Sequence, residues 1–305
     1  MKKVLITGGA GTVGQAFIQR YPDYQYFSIS RNEKHAADLL RNYPNVGNFI
    51  ADIRDLEHIT TLFNTVKPDV VIHAAAMKHV NLAEENPTSA VTSNILGSLN
   101  VIRASITAYV PITLGISTDK ACCPDNVYGY TKRMMEQLFF EHNTTKNKFV
   151  CTRFANVANS NGSVIPFFKK CKAENKPILL TDKNMNRLMF SKQESAELIH
   201  KAITEAEKSD MSFILSKLMK NVNMLDLANI FSDDIKIVGK RPGEKLNETL
   251  VSKKEIPFTL VTGDGYVFIE PEETPETYRL EEELSSLSAD NMTNDELEDL
   301  IWTEK

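Results

Sequence analysis

A short apolar strand, Lys3–Thr7, runs directly into Gly8-Gly-Ala-Gly11-Thr12-Val13-Gly14 and then into a helical pattern that reaches Arg20. No other stretch restricts the possible folds so strongly. Glycines at 8, 11 and 14 permit a tight turn, a close backbone approach and close packing of helix on strand. The start of that helix offers free N–H groups and a positive dipole end to a pyrophosphate. A glycine pattern alone is weak, because such turns also occur without ligands. Its place between a strand and a helix, at the head of an alternating chain, makes Gly8, Gly11, Thr12, Val13 and Gly14 a dinucleotide cradle.

The alternation continues. Residues 24–29 form a second strand ending in Ser30-Arg31, where a carboxylate would select the ribose of NAD. A hydroxyl and a guanidinium stand there instead, and Arg31 can pair with a 2′-phosphate, so NADP is favoured over NAD. Asp52 and Ile53 follow a third strand (48–51) and are placed to meet the adenine. Residues 70–76 read as the fourth strand, with Ala74, Ala75 and Ala76 where a cofactor backbone would pass; Asn94, opening a helical pattern over 94–106, also belongs to the cofactor side. The expected fold is α/β, a doubly wound parallel sheet of Rossmann type. Residues 1–160, with some later returning segments, would bind the cofactor. Residues 161–305 would mainly form a smaller substrate-binding domain and an acidic tail.

Composition excludes several classes. With 305 residues, 42% hydrophobic and 25% charged, the chain reads as an ordinary globular protein. No apolar run approaches the roughly 20 residues needed to span a bilayer. The opening strand leaves no room for a leader, so a cytoplasmic protein without membrane partners is expected. Four cysteines, none in a Cys-x-x-Cys pair, form neither a disulfide framework nor a zinc site, and His79 has no second ligand at metal spacing, so no metal is expected. The net charge of −5 conceals an asymmetry, since residues 270–305 carry thirteen acidic against two basic side chains. The remaining body is mildly basic without a Lys/Arg cluster, which suits anionic small ligands and not nucleic acid. Within the tail, a capped helix is expected over 294–302 with Leu297, Leu300 and Ile301 turned inward.

Chemistry concentrates between Ser117 and Lys132. An apolar run, 111–116, reads as a buried strand delivering Thr118, Asp119 and Lys120 in a row. Asp125 or Asn126 can cap a helix carrying Tyr128 and Lys132, four apart and therefore on one face. An ammonium near Tyr128 would favour its phenolate and make it a usable proton acceptor. Tyr-x-x-x-Lys is common by chance, and Asp119–Lys120 could be a simple ion pair at a strand end; it is their company that points to catalysis. Further on, residues 159–166 read as a loop rich in hydrogen-bond donors. Arg187, Arg241 and Lys245 are candidates for a diphosphate clamp.

Thr7 to Gly14, Met77-Lys78-His79-Val-Asn-Leu-Ala-Glu-Glu-Asn-Pro87, Ser117-Thr-Asp-Lys-Ala121, Tyr128-Gly-Tyr-Thr-Lys132, Gly162-Ser-Val-Ile-Pro166 and Arg241-Pro-Gly-Glu-Lys245 occur in one order. That series resembles the extended short-chain dehydrogenase/reductases of the polysaccharide-biosynthesis branch, the UDP-N-acetylglucosamine 4,6-dehydratases, over roughly residues 1–250. The resemblance implies tightly held NADP, a UDP-sugar substrate, a homo-oligomer and a 4-keto-6-deoxy product for surface glycans. It implies that Tyr128, aided by Lys132 and Thr118, takes the O4 proton. Lys120 would take the C5 proton and Asp119 would protonate the departing C6 hydroxyl. A lysine can do this only if burial or a neighbouring cation lowers its pKa. Lys78, His79, Asn156, Ser163, Val164, Thr181, Arg187, Arg241 and Glu244 would face the substrate. The chain departs from the pattern at Asn161, Asn247 and the Cys122-Cys123 pair. Whether C5 inverts stays open. The competing readings are a nucleotide-sugar 4-epimerase or reductase, which has no use for Asp119–Lys120, and a non-catalytic NADP-binding sensor on the same fold.

Overall fold

The computed structural model describes residues 1–275 and 279–302; Glu276 and Glu304 of the acidic tail lie outside them. In the first half, strands β1 (Lys3–Thr7), β2 (Gln25–Ser30), β3 (Gly47–Ile50), β4 (Val70–His73), β5 (Ile112–Thr118) and β6 (Lys148–Phe154) alternate with helices. These are α1 (Thr12–Arg20), α2 (Glu33–Asn42), α3 (Leu56–Val66), α4 (Val80–Glu85), α5 (Pro87–Val91), α6 (Gly97–Thr107) and α7 (Val127–His142). The second half contributes β7 (Asn156–Val157), α8 (Val164–Ala173), β8 (Ile178–Leu180), β9 (Asn186–Phe190), α9 (Lys192–Lys208), β10 (Ile214–Lys217) and β11 (Lys220–Asn223). It ends with α10 (Met224–Asn229), β12 (Ile235–Ile237), β13 (Thr249–Val251), β14 (Thr259–Val261), β15 (Tyr266–Ile269), β16 (Leu284–Ser285) and α11 (Asn294–Trp302).

The main sheet has the order β3-β2-β1-β4-β5-β6-β10-β15-β14. Its strands from β3 to β10 are parallel, and β15 pairs antiparallel with both β10 and β14. This is the expected doubly wound α/β sheet of Rossmann type. Along β1, Val4 and Ile6 enter a core shared with Phe17 of α1, Phe139 of α7 and Ile199 of α9. Leu5 enters the opposite core with Phe63 of α3 and Val101 of α6. Burial on both faces explains why β1 and β4 read as continuous apolar runs and not as alternating ones. A separate core, with Ile165, Phe168, Leu180, Leu227, Phe231, Leu297 and Ile301, lies under the smaller sheets formed by β11-β9-β7 and β12-β8. Among the described residues no helix is long and apolar enough to cross a membrane.

Several boundaries differ from the sequence expectation, each for a local reason. The fourth strand stops at His73, and residues 74–76 leave the sheet after one last bond from Ala74 N–H to Thr7 O. The fifth runs two residues further, pairing Ser117 with Arg153 and Thr118 with Phe154. The stretch read as a loop up to Pro166 is already helix from Val164. Pro166 sits in the first turn, where a missing N–H breaks no intrahelical bond. Helix α11 occupies the expected span; Thr293 and Glu296 cap each other's N–H groups, Leu297 and Ile301 are buried, and Leu300 is half-buried against the same core.

The largest fully buried side chain among the described residues is charged. Arg153, at the end of β6, is fully buried. Its guanidinium donates to Glu136 of α7 (3.0 and 2.8 Å), to Glu255 (3.1 and 2.9 Å) and to Leu250 O (2.8 Å). Removing one partner from such a cluster leaves uncompensated buried charge. Arg153→Met is therefore expected to lower stability by about 3–5 kcal/mol in urea unfolding; a loss below about 1 kcal/mol would show the cluster to be dispensable. Burial pushes Glu255 up, but Arg153 outweighs it and holds the carboxylate at about 2. Its folded value is depressed, so its contribution is complete above the ordinary glutamate range and disappears as pH falls through about 2. Acid titration of unfolding should show this dependence in the wild type and lose it in Glu255→Gln.

Candidate active site

The carboxyl ends of β1, β4 and β5 converge on one face, as the switch point of a doubly wound sheet requires. Gly8 has φ +75°, and a Cβ there would lie 2.9 Å from Ala75 N. The turn thus abuts the 74–75 backbone, and no side chain fits between. A Cβ on Gly14 would fall 2.5 Å from Gly9 O, so α1 begins tight against the turn. Gly11 caps α1 without a side-chain bond, leaving the N–H groups of the first turn free of a side-chain acceptor. These are the features a pyrophosphate needs.

Around the cradle, Ser30 is half-buried and Arg31 exposed. Asp52 is gripped by Arg54 through Nε and Nη2 (3.0 and 2.6 Å), and this pairing lowers its carboxyl below the ordinary range. Ile53 is buried, with its carbonyl accepting from Asn100. Asn94 lies on a π-helical turn, Thr92–Leu96, between α5 and α6. Its amide exchanges bonds with the Met77 backbone (2.8 and 3.0 Å) and donates to Thr131 (3.0 Å), so it fastens the 74–79 segment to α7. His73 is fully buried between Thr7 and Ser98 (2.8 and 2.9 Å); burial first, then Lys132, push it down to about 3, so its ring stays neutral.

The reactive side chains meet where β5 ends and α7 begins. Asn126 caps α7 by accepting from Gly129 N–H (2.8 Å). Thr118 donates to Asp119 Oδ1 (2.7 Å), and Lys120 Nζ lies 3.1 Å from that oxygen. Asp119 is 0% exposed, and its Oδ2 has no protein partner. Tyr128 lies near the same group: burial pushes its hydroxyl up to about 12, Lys120 pulls it down, and Asp119 pushes it up. Lys132, expected on the same helix face as Tyr128, donates from Nζ to Ile116 O of β5 (2.7 Å). Burial drives it down to about 8. Lys120 is pulled both ways. Burial does depress it, but Asp119 and a carboxylate the sequence reading missed, Glu248, together leave it above the ordinary lysine value.

Glu248 is 3% exposed and lies 3.3 Å from Lys120 Nζ. No local pattern announces it, because it reaches the site from just before β13. Also missed was Gly129, whose Cβ would stand 2.3 Å from Lys120 O. Only a glycine lets α7 pass so close to the Asp119–Lys120 turn.

The expected substrate residues are arranged as follows. Lys78 donates to Asn161 O (2.7 Å), and Asn161 N–H donates to Thr12 Oγ1 (3.1 Å), which ties the 159–163 segment across the glycine turn. Burial lowers Lys78, and burial with Lys78 lowers His79. Gly162 packs on His79, where a Cβ would lie 2.9 Å from the ring. Asn156 donates to Leu188 O (3.0 Å), Ser163 Oγ is buried without a protein partner, Val164 opens α8, and Thr181 is buried after β8. Arg187 is not an open clamp. It is buried and donates to the carbonyls of Asn186, Leu246 and Lys245 (2.7, 3.2 and 2.9 Å). Glu244 accepts from Arg241 N–H (3.1 Å), the Arg241 side chain stays exposed, and Lys245 donates to Cys123 O (2.7 Å). Asn126 donates to Gly243 O (3.1 Å), which docks the 241–245 segment on the start of α7. No cluster of three or more metal-ligating side chains occurs among the described residues.

Similarity to known proteins accords with this geometry. A profile of the family described as "Polysaccharide biosynthesis protein" matches residues 4–268. A UDP-N-acetylglucosamine 4,6-dehydratase (inverting) from Campylobacter jejuni is 35% identical over 271 residues, 85% of this chain and 80% of that protein. A UDP-glucose 4-epimerase from Rickettsia bellii is 34% identical over 282 residues, 87% of this chain and 82% of the other. The crystal structure of Pen from Bacillus thuringiensis superposes with a TM-score of 0.89 at 30% identity, covering 98% of this chain and 96% of that one.

Gly129→Ala tests the close approach of α7. It is expected to cost about 1–3 kcal/mol through overpacking against Lys120 O. Thermal unfolding reads the cost, and an unchanged Tm would contradict the packing.

Proposed function

The chain belongs to the polysaccharide biosynthesis protein family, and from that premise we propose that it is an NADP-dependent 4,6-dehydratase of a UDP-N-acetylhexosamine, most simply UDP-N-acetylglucosamine. One observation carries the reading: Lys120 Nζ stands 3.1 Å from the buried Asp119, on the turn against which α7 with its buried Tyr128 packs. Loss of water from a sugar needs an acid and a base side by side. An epimerase has no step that uses them. The second reading, a nucleotide-sugar 4-epimerase, is favoured by the similarity to the Rickettsia enzyme.

A nicotinamide dinucleotide, when bound, supplies a reversible hydride acceptor. Gly8, the free N–H groups of α1, and Ala74 to Ala76 would hold it, with Arg31 on a 2′-phosphate. Tyr128 takes the O4 proton of the sugar; the Lys120 ammonium and the Thr118 hydroxyl are the groups that ease its ionisation. Lys132, whose Nζ donates to Ile116 O, is the further cation assigned to assist Tyr128. The 4-keto group then acidifies C5–H. One proton transfer, from Lys120 Nζ to Asp119, makes the lysine a neutral base and the aspartate an acid in the same event. Lys120 removes the C5 proton, and Asp119 protonates the departing C6 hydroxyl as water. Ser163, with its unpartnered buried hydroxyl, and Lys78, which donates to Asn161 O, are assigned to the sugar nucleotide. Residues 161–305 are assigned mainly to substrate binding, and a cytoplasmic homo-oligomer belongs to the same proposal.

Proton NMR of the protein with UDP-N-acetylglucosamine and NADP in deuterated water provides the test. A new C6 methyl signal with deuterium at C5, and no net cofactor consumption, is expected. Inversion of O4 without a methyl signal would establish the epimerase instead. Lys120→Met and Asp119→Asn should each lower kcat by about 10²–10⁴-fold, with nucleotide-sugar binding retained. Arg31→Ala should weaken NADP about tenfold or more relative to NAD; equal loss for both cofactors would remove the 2′-phosphate assignment.

A further inference from the structure

Lys120 is enclosed from two sides, and only one side belongs to its own segment. Asp119 Oδ1 lies at 3.1 Å and Glu248 Oε1 at 3.3 Å from the same Nζ. The Glu248 carboxyl is almost fully buried, and the Lys120 side chain is 16% exposed. Glu248 is itself held in place by a part of the chain remote from the sheet. Its N–H donates to Ser286 Oγ (3.0 Å), and Ser286 N–H donates to Glu248 O (2.9 Å), continuing the β13–β16 pairing.

We propose that Glu248 is a positioning residue for the dehydration step: it holds the Lys120 amine against Asp119 and sets the pH at which that amine loses its proton. The inference rests on the reading of Lys120 as the C5 base. Four charged or titratable groups bear on the amine: Asp119 beside it, Glu248 from the start of β13, Arg187 from β9, and Tyr128 from α7. Burial and Arg187 favour the neutral amine, whereas the two carboxylates favour the ammonium and prevail. Burial raises Glu248 itself, against the pull of Lys120. Asp119 has the additional tasks of accepting from Thr118 and delivering a proton to the leaving hydroxyl. Glu248 has no such task, so it can hold the amine throughout, including while Asp119 is protonated. With the Glu248 charge removed, the folded-state pKa of Lys120 falls. The limb of the pH–rate profile on which activity rises as the base deprotonates must then move to lower pH.

The test compares wild type, Glu248→Gln and Glu248→Asp. For each, the C5 proton exchange rate and kcat with UDP-N-acetylglucosamine are followed against pH. The Lys120 amine is titrated by NMR of lysine labelled with ¹³C at Cε, its signal identified by its absence in Lys120→Arg. In Glu248→Gln both the kinetic limb and the NMR titration are expected about 1–3 pH units lower. Glu248→Asp, which keeps the charge, should return both most of the way to wild type. A uniform fall in kcat with the limb and titration unmoved would overturn the proposal and leave Glu248 a packing residue. If Glu248→Gln does not fold, the wild-type titration decides alone: Lys120 above the ordinary lysine value supports the assignment, and a value below it refutes it. If wild type forms no dehydrated product, the proposed function fails, while the NMR titration still shows whether Glu248 governs the amine.

Discussion

A fully buried guanidinium is tolerated only when its donors are nearly all satisfied, and Arg153 satisfies them with three groups from two separate parts of the chain. Glu136 comes from α7, Leu250 from β13, and Glu255 from the turn before β14. Ser117, one residue before the reactive triplet, donates to Glu136 (2.7 Å), and Cys122, just after it, donates to Glu255 (3.2 Å). The turn carrying Thr118, Asp119 and Lys120 is therefore held at both ends by carboxylates that the arginine fixes in place. Polar residues at a strand terminus would otherwise be free to rearrange in water. Here their geometry is determined from behind, by charge that no solvent reaches.

The front of the site is closed by different means. Thr12, Asn161 and Lys78 join the glycine turn, the 159–163 segment and the 74–79 segment through two hydrogen bonds. Gly162 and Gly243, both at positive φ, bring later backbone against His79 and Asn126. Each contact depends on a missing side chain or on a main-chain group, which is why the second half of the protein can approach the sheet closely without a large apolar interface at this place.

Local chemistry was legible in the sequence, and distant partnership was not. The β1–glycine–α1 unit, the Asn126 cap and the inward face of α11 are each specified within a few residues, so periodicity and capping rules found them. The partners of Lys132, Arg187 and Lys120 are set by packing. Tyr128 and Lys132 share a helix face, yet the lysine amine is held by the Ile116 carbonyl of β5. Arg187 looked like a phosphate ligand because sequence cannot show that three backbone carbonyls already surround it. Pro166 suggested a loop, although a proline in a helix's first turn disturbs nothing.

The pairing of β13 with β16 gives the order of assembly a chemical meaning. The parallel sheet from β3 to β6 is complete by Phe154, and with it the glycine turn and the reactive triplet. The hydroxyl of Ser286 and the edge that seats Glu248 come near the end of the chain. A protein emerging from the ribosome thus acquires its nucleotide cradle early and the second carboxylate around its lysine late. Proteolysis before β16 would leave a product with the cradle's residues intact and the lysine's surroundings altered. The group proposed to tune the lysine is thus seated by one of the last strands of the chain to be made.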